Sequence, residues 1–231
     1  MNVCGIFITG TDTGCGKTHV ACALIRALRA QGLRVAPYKP VAAGADDHAE
    51  VLRNEDALQL MAAAGGDWDY QQVNPYCLPA AISPHLAARQ VGITIEQEVI
   101  VAGLQALAQQ ADIVVVEGAG GWLVPLGDIL DIETLAIRVG LPVLLVIGLR
   151  LGCLNHAALS AQAIQQSKVP VLGWIGSQVD PLMQRVDENR DTLQQQLAMP
   201  DWGTVPHGAL AVTALDKLAG HLCAGHFPSN A

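Results

Sequence analysis

The segment from Val3 to Gln31 constrains the fold more than any other part of the chain. An apolar run, Val3-Cys-Gly-Ile-Phe-Ile-Thr9, leads into Gly10-Thr-Asp-Thr-Gly-Cys-Gly-Lys-Thr18, and a segment of helical period follows. In that segment Ala21, Leu24, Ile25 and Leu28 fall on one face, and Gly32 stands where a helix C′ residue belongs. A strand, a glycine-rich loop ending in Gly16-Lys17-Thr18 and a helix, in that order, make a phosphate-binding loop. Glycine lets the backbone wrap closely enough for successive N–H groups to point at phosphate oxygens, and the helix N-terminus adds favourable partial charge. Lys17 is placed to reach the β- and γ-phosphates of a nucleotide, and the Thr18 hydroxyl to ligate Mg²⁺. The pattern departs at one point: its first glycine is set back to Gly10, and Thr11 takes its place. A dinucleotide-binding turn is disfavoured, because the GxGxxG spacing fails.

Further apolar runs predict strands at Arg34 to Tyr38, Ile113 to Val116, Val143 to Ile147 and Val171 to Ile175. Helical periods predict helices at Glu55 to Ala64, Ile95 to Gln110, Ile132 to Val139, Asn155 to Ser167 and Arg185 to Leu197. Strands apolar at consecutive positions are buried on both faces, which marks a parallel sheet between helices. The expectation is therefore an α/β fold, a doubly wound, mostly parallel sheet with helices on both faces, in the manner of P-loop nucleoside triphosphatases. Ligands of such sheets bind beyond the carboxyl ends of the strands. No repeat or linker divides the 231 residues, so a single domain over 1–231 is expected. Asp201 to Ala231, rich in Gly, Ala and His, carries no readable period.

Composition narrows the function. A formal net charge of −8 opposes general nucleic-acid binding, and four Trp, three Tyr and two Phe are too few for a base-stacking platform. The six cysteines include no CxxC pair, so neither a zinc site nor a disulfide framework is indicated. No apolar run approaches the about 20 residues that cross a bilayer. No basic region precedes the first apolar stretch as in a signal peptide, so the cytoplasm is the expected compartment.

A second motif, Ile113-Val-Val-Val-Glu117-Gly-Ala-Gly-Gly121, reads as an apolar strand ending in a carboxylate and a glycine turn. An acid at the end of a strand beside a phosphate loop holds Mg²⁺ directly or through water. Asp56, in Arg53-Asn-Glu-Asp-Ala-Leu, is either a third metal acid or a first-turn residue of a helix, where Asp is favoured anyway. Lys39 closes the second strand. It is either a solvated charge or a cation that steadies charge developing on a phosphoryl group.

Together these pieces resemble the dethiobiotin synthase family over at least residues 5 to 178. The likeness rests on GTDTGCGKT, YKPVAAG, RNEDA, VNPY followed by SPHLAA, and VEGAGGWLVPL, with Leu151-Gly-Cys-Leu-Asn-His-Ala157 and Gly173-Trp174 beyond them. The resemblance implies ATP- and Mg²⁺-dependent carboxylation of 7,8-diaminopelargonic acid by CO₂. A carbamate and its phosphoric anhydride would lead to ring closure as dethiobiotin, in biotin biosynthesis. It assigns Lys17 and Lys39 to catalysis and Thr18, Asp56 and Glu117 to Mg²⁺. ATP would be held by Gly14, Cys15, Gly16, Lys17, Thr18 and His19, by Asp56, and by Glu117, Gly118, Ala119 and Gly120. On the adenine side it would meet Ser177, Gln178, Pro206, His207 and Gly208. Thr13, Lys39 and Ala43 would face the diamine. The segment Gly152, Cys153, Leu154, Asn155 would receive its carboxylate from the facing subunit of a homodimer; without the resemblance Asn155 reads as a plain N-cap. Two positions depart from the family pattern, Ala43 standing for a hydroxyl residue and Ser177 for an Asn that reads adenine; His207 falls in the adenine-side loop without an assigned contact, and Cys15 stands where the family often has Val. Cys15 is expected to pack rather than react, and His85 and His156 to serve structure.

The alternative from another class is a partitioning-type switch ATPase that acts through protein partners. Those proteins carry a Lys near the start of the loop, where this chain has Asp12, and no basic or amphipathic partner surface is evident. An amide-forming ligase with an added glutaminase-like domain would need more chain.

Overall fold

The structure, a computed structural model, describes residues 3–48, 51–208 and 213–228. The chain runs β1 (Gly5–Gly10), α1 (Lys17–Ala30), β2 (Val35–Tyr38), β3 (Val41–Ala43), β4 (Asp46–His48) and β5 (Val51–Arg53). Then come α2 (Glu55–Ala64), α3 (Tyr70–Val73), β6 (Tyr76–Leu78), α4 (Pro84–Gln90), α5 (Gln97–Ala108) and β7 (Ile113–Gly121). It closes with α6 (Ile132–Val139), β8 (Val143–Gly148), α7 (Cys153–Gln166), β9 (Val171–Ser177), α8 (Val186–Gln196), β10 (Asp201–Val205) and α9 (Thr213–Cys223).

Six strands form one sheet in the order β10-β9-β8-β1-β7-β2, every pair parallel. All residues of β1 and β8 and the first six of β7 are buried, so both faces of the sheet are covered. Helix α1 lays Ala21, Leu24, Ile25 and Leu28 into the core and packs with α2 and α9. Elsewhere α5 packs with α6, and α7 with α8. After β1 the chain passes β7's place to reach β2, then returns through β7 and continues outward on the other side of β1. The order thus reverses around β1, and the crevice beyond the carboxyl ends of β1, β7 and β2 is where such a sheet binds ligands.

The predicted strands and helices are present with small shifts at their ends. Two differences matter. Strand β7 does not end in a turn at Glu117 but runs on to Gly121, where it pairs with Gly10 after an irregularity in register; Gly120 takes a left-handed conformation (φ 64°) on the way, and Ala119 carries the segment's one side chain, a methyl. Helix α7 begins at Cys153, after Gly152 in the left-handed conformation (φ 96°), so Asn155 lies inside the first turn and is no cap. The C-terminal part contributes β10, which takes the sheet edge beside β9, and α9, which covers α1; residues 209–212 and 229–231 lie outside the described ones.

Candidate active site

The loop from Thr11 to Gly16 folds back on the strand that precedes it, and Gly10 is what permits this. A Cβ at Gly10 would run into Cys15 Sγ and stand 3.0 Å from Lys17 Cγ. The displaced glycine of the motif is therefore a packing requirement. Gly16 holds the left-handed conformation (φ 91°) with Ser177 directly beneath it. Cys15 is fully buried, close against Gly148, and packs as expected. Lys17 is buried too, and its ammonium curls over the loop to donate to the Asp12 carbonyl at 2.9 Å. The Asp12 carboxylate pairs with the Arg150 guanidinium, with His156 Nδ1 3.8 Å away.

Across the cavity, Glu117 is wholly buried at the turn-in of β7. Its Oε1 accepts from the Thr18 hydroxyl at 3.0 Å and from Lys39 Nζ at 2.5 Å. Lys39, itself buried, also reaches Asp56 Oδ2 at 3.3 Å and the Gly118 carbonyl at 3.3 Å. Burial alone would push the Lys39 ammonium toward its neutral form. Glu117, and after it Asp56, outweigh that, so its pKa is raised above 10.5 and it stays charged. Lys39 is thus no solvated charge, and Asp56 sits in the first turn of α2 with its carboxylate toward Lys39. Asn54 places α2 there, its Oδ1 accepting from Ala57 N–H as the N-cap.

These residues line a cavity of about 690 Å³ with Thr13, Gly14, Gly16, His19, Ala43, Ala119 and Gly120. Glu117 Oε2 is buried with no hydrogen-bond partner among the described residues. An orphaned carboxylate oxygen beside a hydroxyl and a half-exposed second carboxylate is a hard oxygen donor set that fits Mg²⁺. Thr18, Asp56 and Glu117 would hold the ion.

The residues expected on the adenine side form a separate group. Ser177 is buried with its hydroxyl against Gly16, so it supports the loop. Gln178 N–H donates to the Val205 carbonyl at 2.9 Å, and His207 Nδ1 lies 3.1 Å from the Gln178 carbonyl, which gives His207 its contact. Pro206 and Gly208 are exposed beside it. Gly152, Cys153, Leu154 and Asn155 do not line this cavity. A second cavity of about 410 Å³ is lined by Thr11–Thr13, Gly121–Val124 and the α7 residues Leu159, Ser160 and Ala163. Sequence reasoning passed over Asn54, Tyr70, Asn74 and Arg150 as functional residues. The motifs RNEDA and VNPY contain two of them, without any chemistry to mark them.

Fold and loop define a P-loop nucleotide-binding protein, and the AAA domain family profile matches residues 4–213. A ParA family ATPase from Chlorobium tepidum TLS superposes with a TM-score of 0.58 at 12% identity, covering 95% of this chain and 100% of that one; it shows the fold alone. Closer likeness lies in sequence. The chain is 50% identical over 200 residues to an ATP-dependent dethiobiotin synthetase BioD of Xanthomonas axonopodis pv. citri, covering 87% of this chain and 89% of that one. It is 47% identical over 207 residues to a protein of the same name from Xylella fastidiosa, covering 90% and 92%. The chain belongs to the ATP-dependent dethiobiotin synthetase family.

Proposed function

We propose that the protein is the ATP-dependent cyclo-ligase that makes dethiobiotin from 7,8-diaminopelargonic acid and CO₂. The observation that carries this reading is the buried Lys39 ammonium between Glu117 and Asp56, facing the same cavity as the phosphate loop. A desolvated cation placed there, rather than at the start of the loop where a partitioning ATPase has its extra Lys, suits a reaction that creates a carbamate anion beside the phosphoryl group.

One amine of the substrate attacks CO₂ and loses a proton, giving the carbamate. A carbamate oxygen takes the γ-phosphoryl group from ATP, and ADP leaves. The second amine attacks the carbonyl carbon, phosphate departs with that oxygen, and the ureido ring closes. Lys17 and the loop N–H groups hold the phosphates, while Lys39 neutralises the carbamate and the phosphoryl group moving onto it. When bound at Thr18, Asp56 and Glu117, Mg²⁺ supplies charge neutralisation at the phosphates. Positioning and charge suffice here, and no nucleophilic side chain is required.

The same reading makes the protein a cytoplasmic, single-domain homodimer. No helix among the described residues is long and apolar enough to cross a membrane. Exposed Leu123 and Leu159 beside the second cavity, and Leu151 at 96% exposure before α7, offer apolar surface for a facing subunit whose Gly152–Asn155 segment would receive the diamine carboxylate. The test supplies ATP, Mg²⁺, labelled bicarbonate and the diamine, and follows acid-stable label together with ADP. Equal, diamine-dependent formation of both is expected. ADP released regardless of the diamine, with no labelled product, would move the switch-ATPase reading to the front.

A further inference from the structure

The backbone of Lys39 is held at both of its polar groups by one short segment. Its N–H donates to the Val73 carbonyl at 2.9 Å, and its carbonyl accepts from Asn74 Nδ2 at 2.6 Å. Asn74, 2% exposed, turns its Oδ1 to the Tyr70 hydroxyl at 2.9 Å. The same hydroxyl accepts from the backbone N–H of Asn54 at 2.7 Å. Asn54 caps α2 through Ala57 N–H and ties it to the Gly44 carbonyl at 2.8 Å. Helix α2 carries Asp56, whose carboxylate is 3.3 Å from the Lys39 ammonium. The contacts close into a ring: Lys39 backbone, Asn74, Tyr70, Asn54, the start of α2, Asp56, and back to Lys39 through its side chain.

We infer that Tyr70 and Asn74 are positioning residues of the reaction, setting the distance between the Lys39 ammonium and Asp56 without touching substrate. Neither lines the cavity, and both are buried. The donor inventory leaves little freedom. Asn74 Oδ1 can only accept, so the Tyr70 proton goes to it, while the hydroxyl oxygen accepts from the Asn54 N–H and has Cys77 Sγ 3.3 Å away as a weak partner. Asn74 must present its NH₂ to the Lys39 carbonyl, because an oxygen there would face an oxygen. Arg53 lies over the Tyr70 ring at 3.9 Å and keeps the ring in place when the hydroxyl is removed. A ring of this kind acts cooperatively, and a broken link leaves its neighbours buried and unpaired.

The inference rests on the role given to Lys39 above, and the experiment separates the two. Tyr70→Phe and Asn74→Ser are compared with wild type for kcat, for the KM of ATP and of the diamine, and for ATP affinity at equilibrium. Each measurement is made below the variant's own unfolding temperature. The expected result is a fall in kcat of about tenfold to a hundredfold, as small misplacements of catalytic groups produce, with ATP affinity within about twofold of wild type. In a Lys39→Met background the cost of Tyr70→Phe is expected to shrink, since the part of its effect that passes through Lys39 is gone. A variant with lowered melting temperature but wild-type kcat would assign Tyr70 to folding alone and overturn the inference. So would an undiminished effect in the Lys39→Met background. Should Tyr70→Phe not accumulate folded, Asn74→Ser makes the same measurement at the other link. Wild-type protein without diamine-dependent turnover would instead defeat the proposed function, whatever the variants do.

Discussion

Glu117 gathers the site: one carboxylate oxygen takes Thr18 and Lys39, and the other is left for a ligand. The same buried charge reaches Cys22 on α1. Burial first, and Glu117 second, push that thiol from 9.0 up to about 12. Lys39 is raised as well. Both groups therefore hold their protons more tightly folded than unfolded. Below pH 9 both states are protonated at Cys22 and its contribution is constant. Above it the unfolded chain loses the proton first, and stability falls until the folded thiol titrates near 12. The slope from Cys22 alone is about 1.4 kcal/mol per pH unit. Denaturant unfolding at stepped pH is expected to show this decline from pH 9, and Cys22→Ala to make it shallower, with Cys4, Cys77 and Lys39, whose pKa values are also raised, keeping the remainder. A Cys22→Ala protein with the wild-type slope would refute the assignment.

Among the elements, those with long apolar periods were legible in the sequence. Helix α2 was predicted at its observed bounds, as was α6, because each combines a capping Asn or Asp with a repeating apolar face. The short pieces were not: β3, β6, α3 and α4 have three to seven residues, too few to show a period, and they are fixed by contacts distant in sequence. The candidate site divides in the same way. Lys17, Thr18 and Glu117 stand in motifs whose chemistry names them, whereas Asn54, Tyr70 and Asn74 are ordinary polar residues until the fold brings them together around Lys39. Strand β9 offers a prediction at this scale, because its last residue, Ser177, lies under Gly16. In Gly16→Ala the new Cβ meets the Ser177 hydroxyl, stands 2.9 Å from Ser177 Cβ and forces a side chain into a left-handed position. That position alone costs about 1–2 kcal/mol. ATP affinity is expected to fall at least about tenfold, and adding Ser177→Gly to restore part of it by removing the clash but not the backbone strain. No recovery in the double variant would mean that β9 does not set the loop.

At the scale of the whole molecule, the parallel sheet brings together what no local segment contains. It sets the loop after β1, the carboxylate within β7 and the lysine after β2 around one cavity, because these three strands are neighbours with their carboxyl ends on the same side. The likeness to a ParA ATPase shows that the same fold belongs to other proteins, so the fold does not choose the reaction. In the function proposed, the second lysine and its ring of supports do. In the reaction proposed, the phosphate leaving at ring closure carries an oxygen that came from CO₂, whereas ATP hydrolysis takes that oxygen from water. The most direct measurement is therefore a single turnover with bicarbonate labelled in heavy oxygen, quenched before the label exchanges with solvent, and mass analysis of the released phosphate. One heavy oxygen in the phosphate, appearing only with the diamine present, is the predicted result. Phosphate carrying only solvent oxygen would contradict the account.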